Sequence, residues 1–275
     1  MDLSRIRFSI LILGAAMLCG CQMLSWQKAL FWDKMGKPLK AVENYESFLE
    51  AYPRQRRAAE AHVRAADIYA GLGRCIEARR HYESAARDFP EQQSWSARAK
   101  SGIMSCPDYF PLEPGYSWVY GDSASLGRNM RLEARVELRS SRDRSRVDES
   151  LYAGKKIVRQ RQIHYEKRDW AVWESDGGKA VMILRYPFRE GQSWTSAREG
   201  RELQFRIESE QAEARTAAGV FPGCLKVRES NPQFKGSWKY DYYAPGVGRV
   251  KTTVAGPGFE NPNAELLEFQ SPLTR

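Results

Sequence analysis

Cysteine and histidine are the residues of this 275-residue chain whose types and spacing could do chemistry. A thiol can be acylated, oxidised to a disulfide or bound to a metal, and an imidazole can bind a metal or carry a proton. None of these residues has the spacing of a zinc site. The chain also lacks the nucleophile elbow of hydrolases, a phosphate loop and a dinucleotide fingerprint. We therefore expect no enzyme activity, no metal and no cofactor, which leaves Cys21 as a candidate for acylation and Cys75, Cys106 and Cys224 as candidates for disulfide formation.

The first twenty residues predict export. Two arginines, Arg5 and Arg7, precede an apolar run over residues 8–18, which matches a secretory signal peptide and is too short for a membrane span. The run ends Leu18-Cys19-Gly20-Cys21. This segment resembles the lipobox of bacterial lipoproteins, in which the peptide is cut before the last cysteine and its thiol is diacylated.

The lipobox resemblance implies that residues 1–20 are a signal peptide and that Cys21 carries the lipid. Two or three acyl chains anchor a protein stably, at about 0.8 kcal/mol per buried methylene. Gln22, rather than Asp, follows Cys21. By the same resemblance, this residue implies an outer membrane location facing the periplasm.

Residues 21–106 contain a repeat with an offset of 37 residues. Each unit has an aromatic residue, a glycine, an alanine, a tyrosine and a closing proline at matching positions. The pattern resembles tetratricopeptide repeats, in which the glycine ends the first helix, the alanine lies where two helices approach, and the proline stops the second helix. A further helix is predicted over about residues 92–105, as a third repeat or a cap. The matching residues are Trp32, Gly36, Ala41, Tyr45 and Pro53 in the first unit, and Tyr69, Gly73, Ala78, Tyr82 and Pro90 in the second.

Export places the remaining cysteines where disulfides can form. Consecutive helices in tetratricopeptide arrays run antiparallel, so the start of the helix at Cys75 should lie beside the end of the helix before Cys106. We therefore predict a Cys75–Cys106 disulfide, with Cys224 a buried free thiol. A Cys106–Cys224 bond and three free thiols are the alternatives.

Residues 107–275 form a second predicted domain. Prolines and a glycine mark its start, and apolar and charged residues then alternate, as over residues 130–139, 203–208 and 238–242. Such alternation is typical of antiparallel strands with one wet face. We expect eight to ten strands in a curved sheet, a sandwich or an open barrel, and so an α+β chain overall. A shared frame, Pro-apolar-x-x-Gly-x-Ser-Trp, starts at Pro111 and at Pro187, which suggests two similar β units or one corner used twice.

The charge and the repeats limit the function classes. The formal net charge is +9, but the basic residues are interspersed with acidic ones, and this disfavours nucleic-acid binding. Because tetratricopeptide-like arrays present a concave surface, we expect an adaptor that binds a protein or peptide partner on its helices. The alternative is a β domain that binds a lipid or glycan, with the repeats as a cap. An apolar groove on the helices would favour the adaptor, and a cavity in the β domain the ligand-binding module.

Overall fold

The computed structural model describes residues 24–141 and 144–272. Its contacts divide the chain into two compact units, one ending at Cys106 and one beginning at Pro107, and each is described by itself. None of the helices in these ranges is long and apolar enough to cross a membrane.

In its described residues, 24–106, the first unit is a run of five helices joined by short turns. The predicted helix near residues 92–105 is confirmed, and the pairwise helix–turn–helix order of the repeat is present. The helices are α1 (residues 24–34), α2 (Pro38–Ala51), α3 (Ala58–Gly71), α4 (Cys75–Asp88) and α5 (Gln93–Ser105).

Gly36 and Gly73 end α1 and α3 with the same turn. Both have positive φ, +63° and +72°, a conformation that glycine adopts without strain. The amide of Lys37 donates to the carbonyl of Trp32 at 2.9 Å, and the amide of Arg74 donates to that of Tyr69 at 2.9 Å. These are the six-to-one bonds of a Schellman motif, and they turn the chain into α2 and α4.

Alanines and tyrosines fill the space between the helices. Ala41, Ala78, Tyr45 and Tyr82 are buried, so the repeated small and aromatic positions do form the core. Trp32 is half-buried against it. The repeated prolines do not pack, because both are exposed two residues after α2 and α4 end. Their role is limited to helix termination, at Pro53 and Pro90.

The second unit is one antiparallel sheet of twelve strands that curls into a nearly closed barrel. The α+β class and the open-barrel alternative are confirmed, whereas the expected eight to ten strands were too few. Short strands and strands without strict alternation escaped the pattern search. The strands are β1 (Ser117–Asp122), β2 (Met130–Ser141), β3 (Arg144–Ala153), β4 (Lys156–Arg168), β5 (Ala171–Ser175), β6 (Val181–Arg185), β7 (Ser193–Arg198), β8 (Arg201–Thr216), β9 (Gly219–Ser230), β10 (Trp238–Ala244), β11 (Gly248–Gly256) and β12 (Phe259–Gln270).

Each strand pairs with its neighbours in sequence, and β1 pairs with β12, so β6 and β7 are the two edges of the sheet. Side chains join these edges. The indole of Trp194 donates to the carbonyl of Met182 at 3.0 Å, and the amide of Met182 donates to Ser196 Oγ at 2.9 Å. Arg198 on β7 also pairs with Glu174 on β5 at 2.9 Å. The two halves of the barrel are therefore joined by the backbone ladder between β1 and β12 on one side, and by side-chain bonds near the β6 and β7 edges on the other.

The shared sequence frame is one corner used twice. The amide of Gly115 donates to the carbonyl of Val136 on β2, and the amide of Gly191 donates to that of Ile207 on β8. Val136 and Ile207 each donate back to the residue after the glycine. The corners lead into β1 and β7, which begin two six-stranded halves, β1–β6 and β7–β12. The barrel thus has approximate internal twofold symmetry.

Candidate functional site inside the barrel

The barrel encloses a cavity of about 430 Å³. Part of its wall is apolar, with Val147, Ile183 and Val227 among the lining side chains. Another part is charged or phenolic, with acidic, basic and tyrosine side chains facing the same space. Small-molecule sites in proteins have volumes of this order and combine apolar walls with a few placed polar groups.

The two halves of the barrel place equivalent residues across the wall. In each half, four side chains on four successive strands lie opposite one another in the strand register: an indole, an apolar residue, a glutamate and a basic residue. Because register partners lie on the same face of a sheet, the four side chains of each row point to the same side of the barrel wall. The first row is Trp118, Ala134, Glu149 and Arg161, and the second row is Trp194, Phe205, Glu229 and Lys239.

Each row carries an ion pair. Arg161 Nε lies 2.8 Å from a carboxylate oxygen of Glu149, which is buried. Lys239 Nζ lies 2.9 Å from Glu229 and 3.1 Å from the buried Asp241. Charged groups removed from water need such partners, because desolvation of an isolated ion costs several kcal/mol. The cavity therefore has two equivalent charged patches, one from each half.

The symmetry breaks where the halves carry different residues. Asp241 in the second half corresponds to the apolar Ile163 in the first, by the register with Val227 and Val147. Tyr243 and Tyr165 correspond to each other. The next strand places Arg249 opposite Tyr243, and Glu174 opposite Tyr165. At these positions the second half therefore has an aspartate and an arginine, where the first half has Ile163 and Glu174.

The charges around the second row are permanent near neutral pH. Burial raises the pKa of Asp241, but Lys239 and Arg249 lower it by more, and the result lies below its usual range. Burial lowers the pKa of Lys239, but Asp241 and Glu229 raise it by more. Groups held charged in this way serve as fixed electrostatic partners for a ligand.

Arg249 differs from the other half-buried cations of the cavity wall, and the remaining cation there, Lys179, is exposed. Arg161, Arg198 and Lys239 each form an ion pair, whereas Arg249 forms none with the residues that the structure describes. Its guanidinium lies over the ring of Tyr120, 5.2 Å from the ring centroid. Arg249 therefore lines the cavity with no carboxylate of the described residues within ion-pair distance.

The predicted Cys75–Cys106 disulfide is present, with the two α-carbons 5.1 Å apart. It joins the first residue of α4 to the residue that follows the end of α5. Cys224 is a buried free thiol, as predicted. The predicted lipidation site, Cys21, lies outside the described residues. In the described part of the chain, no three His, Cys, Asp or Glu residues are grouped to hold a metal ion.

An apolar groove would favour a protein partner on the helices, but the groove found among the described helices is not apolar. It is lined mainly by charged side chains, including Arg54, Arg56, Arg57 and Glu60, with Phe89 and Trp95 as its aromatic members. Binding of a protein partner to the helices remains a prediction.

The residues inside the barrel are not evident from the sequence. Glu149, Arg161, Glu229 and Lys239 look like ordinary wet-face charges in an alternating strand, because the pattern does not say which face is wet. A signal was nonetheless present. The basic residue of each row precedes a tyrosine by four positions, Arg161 before Tyr165 and Lys239 before Tyr243, and each segment follows one of the repeated corners.

Comparison with known proteins shows little similarity. No protein-family model matches the chain, and no curated protein matches it. One similar solved structure is a Bacteroides fragilis protein described as exported with a YmcC-like fold, at 16% identity and a TM-score of 0.44. Another is a Parabacteroides distasonis protein described as a lipoprotein, at 16% identity and a TM-score of 0.41. In each case the match covers 59% of this chain and 98% of the other.

Proposed function

We propose that this chain is a lipid-anchored protein of the bacterial cell envelope whose barrel binds a small ligand without transforming it. The observation that carries the proposal is the cavity of about 430 Å³ inside the barrel. Ordinary protein interiors are close-packed, and their few voids are seldom much larger than a water molecule. A space of this size, with both apolar and charged walls, is suited to an amphiphilic molecule.

The difference between the two rows supports this reading. Phe205 in the second row stacks on Trp194, with the ring centroids 5.4 Å apart. The equivalent residue in the first row is Ala134, which lines the cavity. Part of the cavity therefore exists because a methyl group stands where the other half has a phenyl ring. Because the fold accommodates a phenyl ring at the equivalent position of the second half, it does not require the space beside Ala134. That space is therefore available to a ligand.

The test fills this space from the first row. Ala134→Phe is made in a Cys21→Ser chain, which retains every described residue, and binding of the uncharged fluorophore N-phenyl-1-naphthylamine is titrated. We expect the unsubstituted chain to bind the probe and Ala134→Phe to weaken binding at least about fivefold. Ala153→Phe adds the same ring at an exposed position at the end of β3 and serves as the control. Equal binding by all three chains, or none by the unsubstituted chain, would contradict a ligand site in the barrel.

The envelope location rests on the lipobox at Cys21 and on the surface of α1. Leu24 and Phe31 lie on one face of this helix, Met35 follows them in the turn after its end, and all three are 52–56% exposed. Exposed lysines flank them at positions 28 and 34. Apolar side chains edged by lysines are typical of helices that lie at the surface of an anionic membrane. Because α1 begins within three residues of Cys21, its exposed face is close enough in sequence to contact the bilayer that holds the acyl chains.

A further inference from the structure

Two hydrogen-bond donors in the cavity, the side chains of Arg249 and Tyr243, have no carboxylate partner among the described residues. The guanidinium of Arg249 forms no ion pair, and the hydroxyl of Tyr243 donates to no described acceptor, although both residues line the cavity. They lie opposite each other in the register of β10 and β11. The backbone therefore brings both donors to one place in the cavity.

The carboxylate that acts most strongly on Arg249, that of Asp241, is already engaged. Asp241 accepts a hydrogen bond from Thr252 Oγ1 at 2.6 Å through one oxygen, and its other oxygen lies 3.1 Å from Lys239. It offsets the charge of Arg249 from a distance without occupying the guanidinium. Burial lowers the pKa of Arg249, but Asp241 and the surrounding tyrosines raise it by more, so the group remains a cation.

We propose that Arg249 and Tyr243 form a subsite for an anionic group, a carboxylate or a phosphate, on the ligand that the barrel binds. The planar guanidinium presents parallel donors that match two oxygens of such a group, and the phenol adds a donor beside them. This inference rests on the proposed ligand-binding function and specifies the chemistry of the ligand. The equivalent place in the first half holds Glu174, which would repel an anion, so the subsite exists on one side of the cavity alone.

The rest of the ligand is apolar by the same reasoning. Phe205 and Val227, in the same half of the barrel, line the cavity together with Ile183, which lies on β6 in the other half. An anionic head bound at Arg249 would place its apolar part against these side chains. A fatty acid or an alkyl phosphate has this combination, whereas a neutral sugar offers neither the charge nor the apolar chain.

The experiment compares two fluorophores that differ mainly in charge, 8-anilino-1-naphthalenesulfonate and the neutral N-phenyl-1-naphthylamine. In the Cys21→Ser chain, we expect Arg249→Gln to weaken binding of the sulfonate about tenfold while leaving the neutral probe within twofold. Tyr243→Phe should weaken the sulfonate about threefold. Arg215→Gln, which removes an exposed arginine on β8, is the matched control and should change neither.

Competition identifies the anion. Dodecanoate, dodecyl phosphate and dodecanol, each below its micellar concentration, are titrated against the bound sulfonate probe. Displacement by either acid at least tenfold better than by dodecanol, and loss of that advantage in Arg249→Gln, would support the subsite. The stronger of the two acids distinguishes a carboxylate ligand from a phosphate.

The outcomes separate this inference from the proposed function. If the neutral probe binds and Ala134→Phe excludes it, but Arg249→Gln leaves the sulfonate unchanged, the barrel binds ligands and the anionic subsite is wrong. If neither probe binds the unsubstituted chain, both proposals fail. Should Arg249→Gln not fold, Arg249→Lys retains the charge without the planar fork, and we expect a three- to tenfold loss of the sulfonate alone. An unchanged sulfonate affinity in both Arg249→Lys and Tyr243→Phe would overturn the subsite.

Discussion

The Nδ1 atoms of His62 on α3 and His81 on α4 lie 3.0 Å apart. A bond this short needs one nitrogen to donate and the other to accept, so the two rings cannot both be protonated there. Nε2 of His81 lies 3.3 Å from Glu46, to which it can donate, and this leaves its Nδ1 as the acceptor for His62. Two neutral histidines and one carboxylate therefore link three helices of the repeat unit.

This pair predicts a loss of stability in acid. Burial and the neighbouring His81 lower the pKa of His62 to about 4, and Asp88 raises it by less. Because the folded pKa lies below the unfolded value near 6.5, the unfolded chain binds the proton more tightly. The stabilising effect is thus complete above pH 6.5 and is lost as the pH falls towards 4, on the order of 2 kcal/mol.

The measurement is the free energy of unfolding of the helical unit between pH 7.5 and 4, with hydrogen exchange in α3 and α4 as the readout. His62→Phe should flatten the pH dependence, because it removes the proton-binding ring and retains an aromatic side chain. An identical pH profile for His62→Phe and the unsubstituted chain would show that other groups cause the acid sensitivity.

Close packing at Gly102 predicts that alanine is not tolerated there. A Cβ at this position in α5 would overlap the ring of Tyr82, which is buried on α4. Alanine normally favours a helix over glycine by about 1 kcal/mol, but overpacking costs typically 1–3 kcal/mol. We expect Gly102→Ala to lower the melting temperature of the helical unit. Gly71→Ala, at a helical glycine with open space around it, should leave it equal or higher.

The disulfide should stabilise the helical unit. Cys75 and Cys106 are 31 residues apart, and closing a loop of this length adds about 3–4 kcal/mol by the chain-entropy estimate. In the double variant Cys75→Ser, Cys106→Ser, hydrogen exchange should accelerate in α4 and α5 and stay unchanged in β1–β12. Unchanged protection of α5 would mean that helix packing alone holds it.

Cys224 should resist alkylation in the folded chain. Its thiol is buried and donates to the carbonyl of Phe221 at 3.2 Å, and burial raises its pKa to about 11. Since the thiolate is the reactive form, iodoacetamide at pH 7.5 should leave Cys224 unmodified until denaturant is added. Rapid labelling of Cys224 under native conditions would contradict the placement of β9 in the barrel wall.

Membrane anchoring gives the last prediction. Cys21→Ser should abolish labelling with palmitate and release the chain from membranes. In vesicles that contain anionic lipid, the released chain should retain weak binding through α1, and Phe31→Ser with Met35→Ser should remove it. Leu72→Ser, which changes an exposed leucine elsewhere in the helical unit, is the control. Continued palmitate labelling of Cys21→Ser would show that the lipid is attached at another residue.

Local patterns in the sequence were enough to predict the elements of this protein. The glycine and alanine spacing of the repeat predicted α1–α4, because a left-handed helix end and a close helix approach each require one residue type. The same helix order brought Cys75 to Cys106. Alternation predicted an antiparallel β domain, since a two-residue period follows from the pleat of a single strand.

Only the tertiary structure decided what the barrel encloses. Whether a strand's charged face meets solvent or a cavity depends on how far the sheet curls and which strands meet, and both are set by pairings between residues far apart in the chain. Tyr120 and Leu266 are register partners across the β1–β12 closure. This closure turns Glu149, Lys239 and Arg249 inward, where they line a cavity instead of an outer surface.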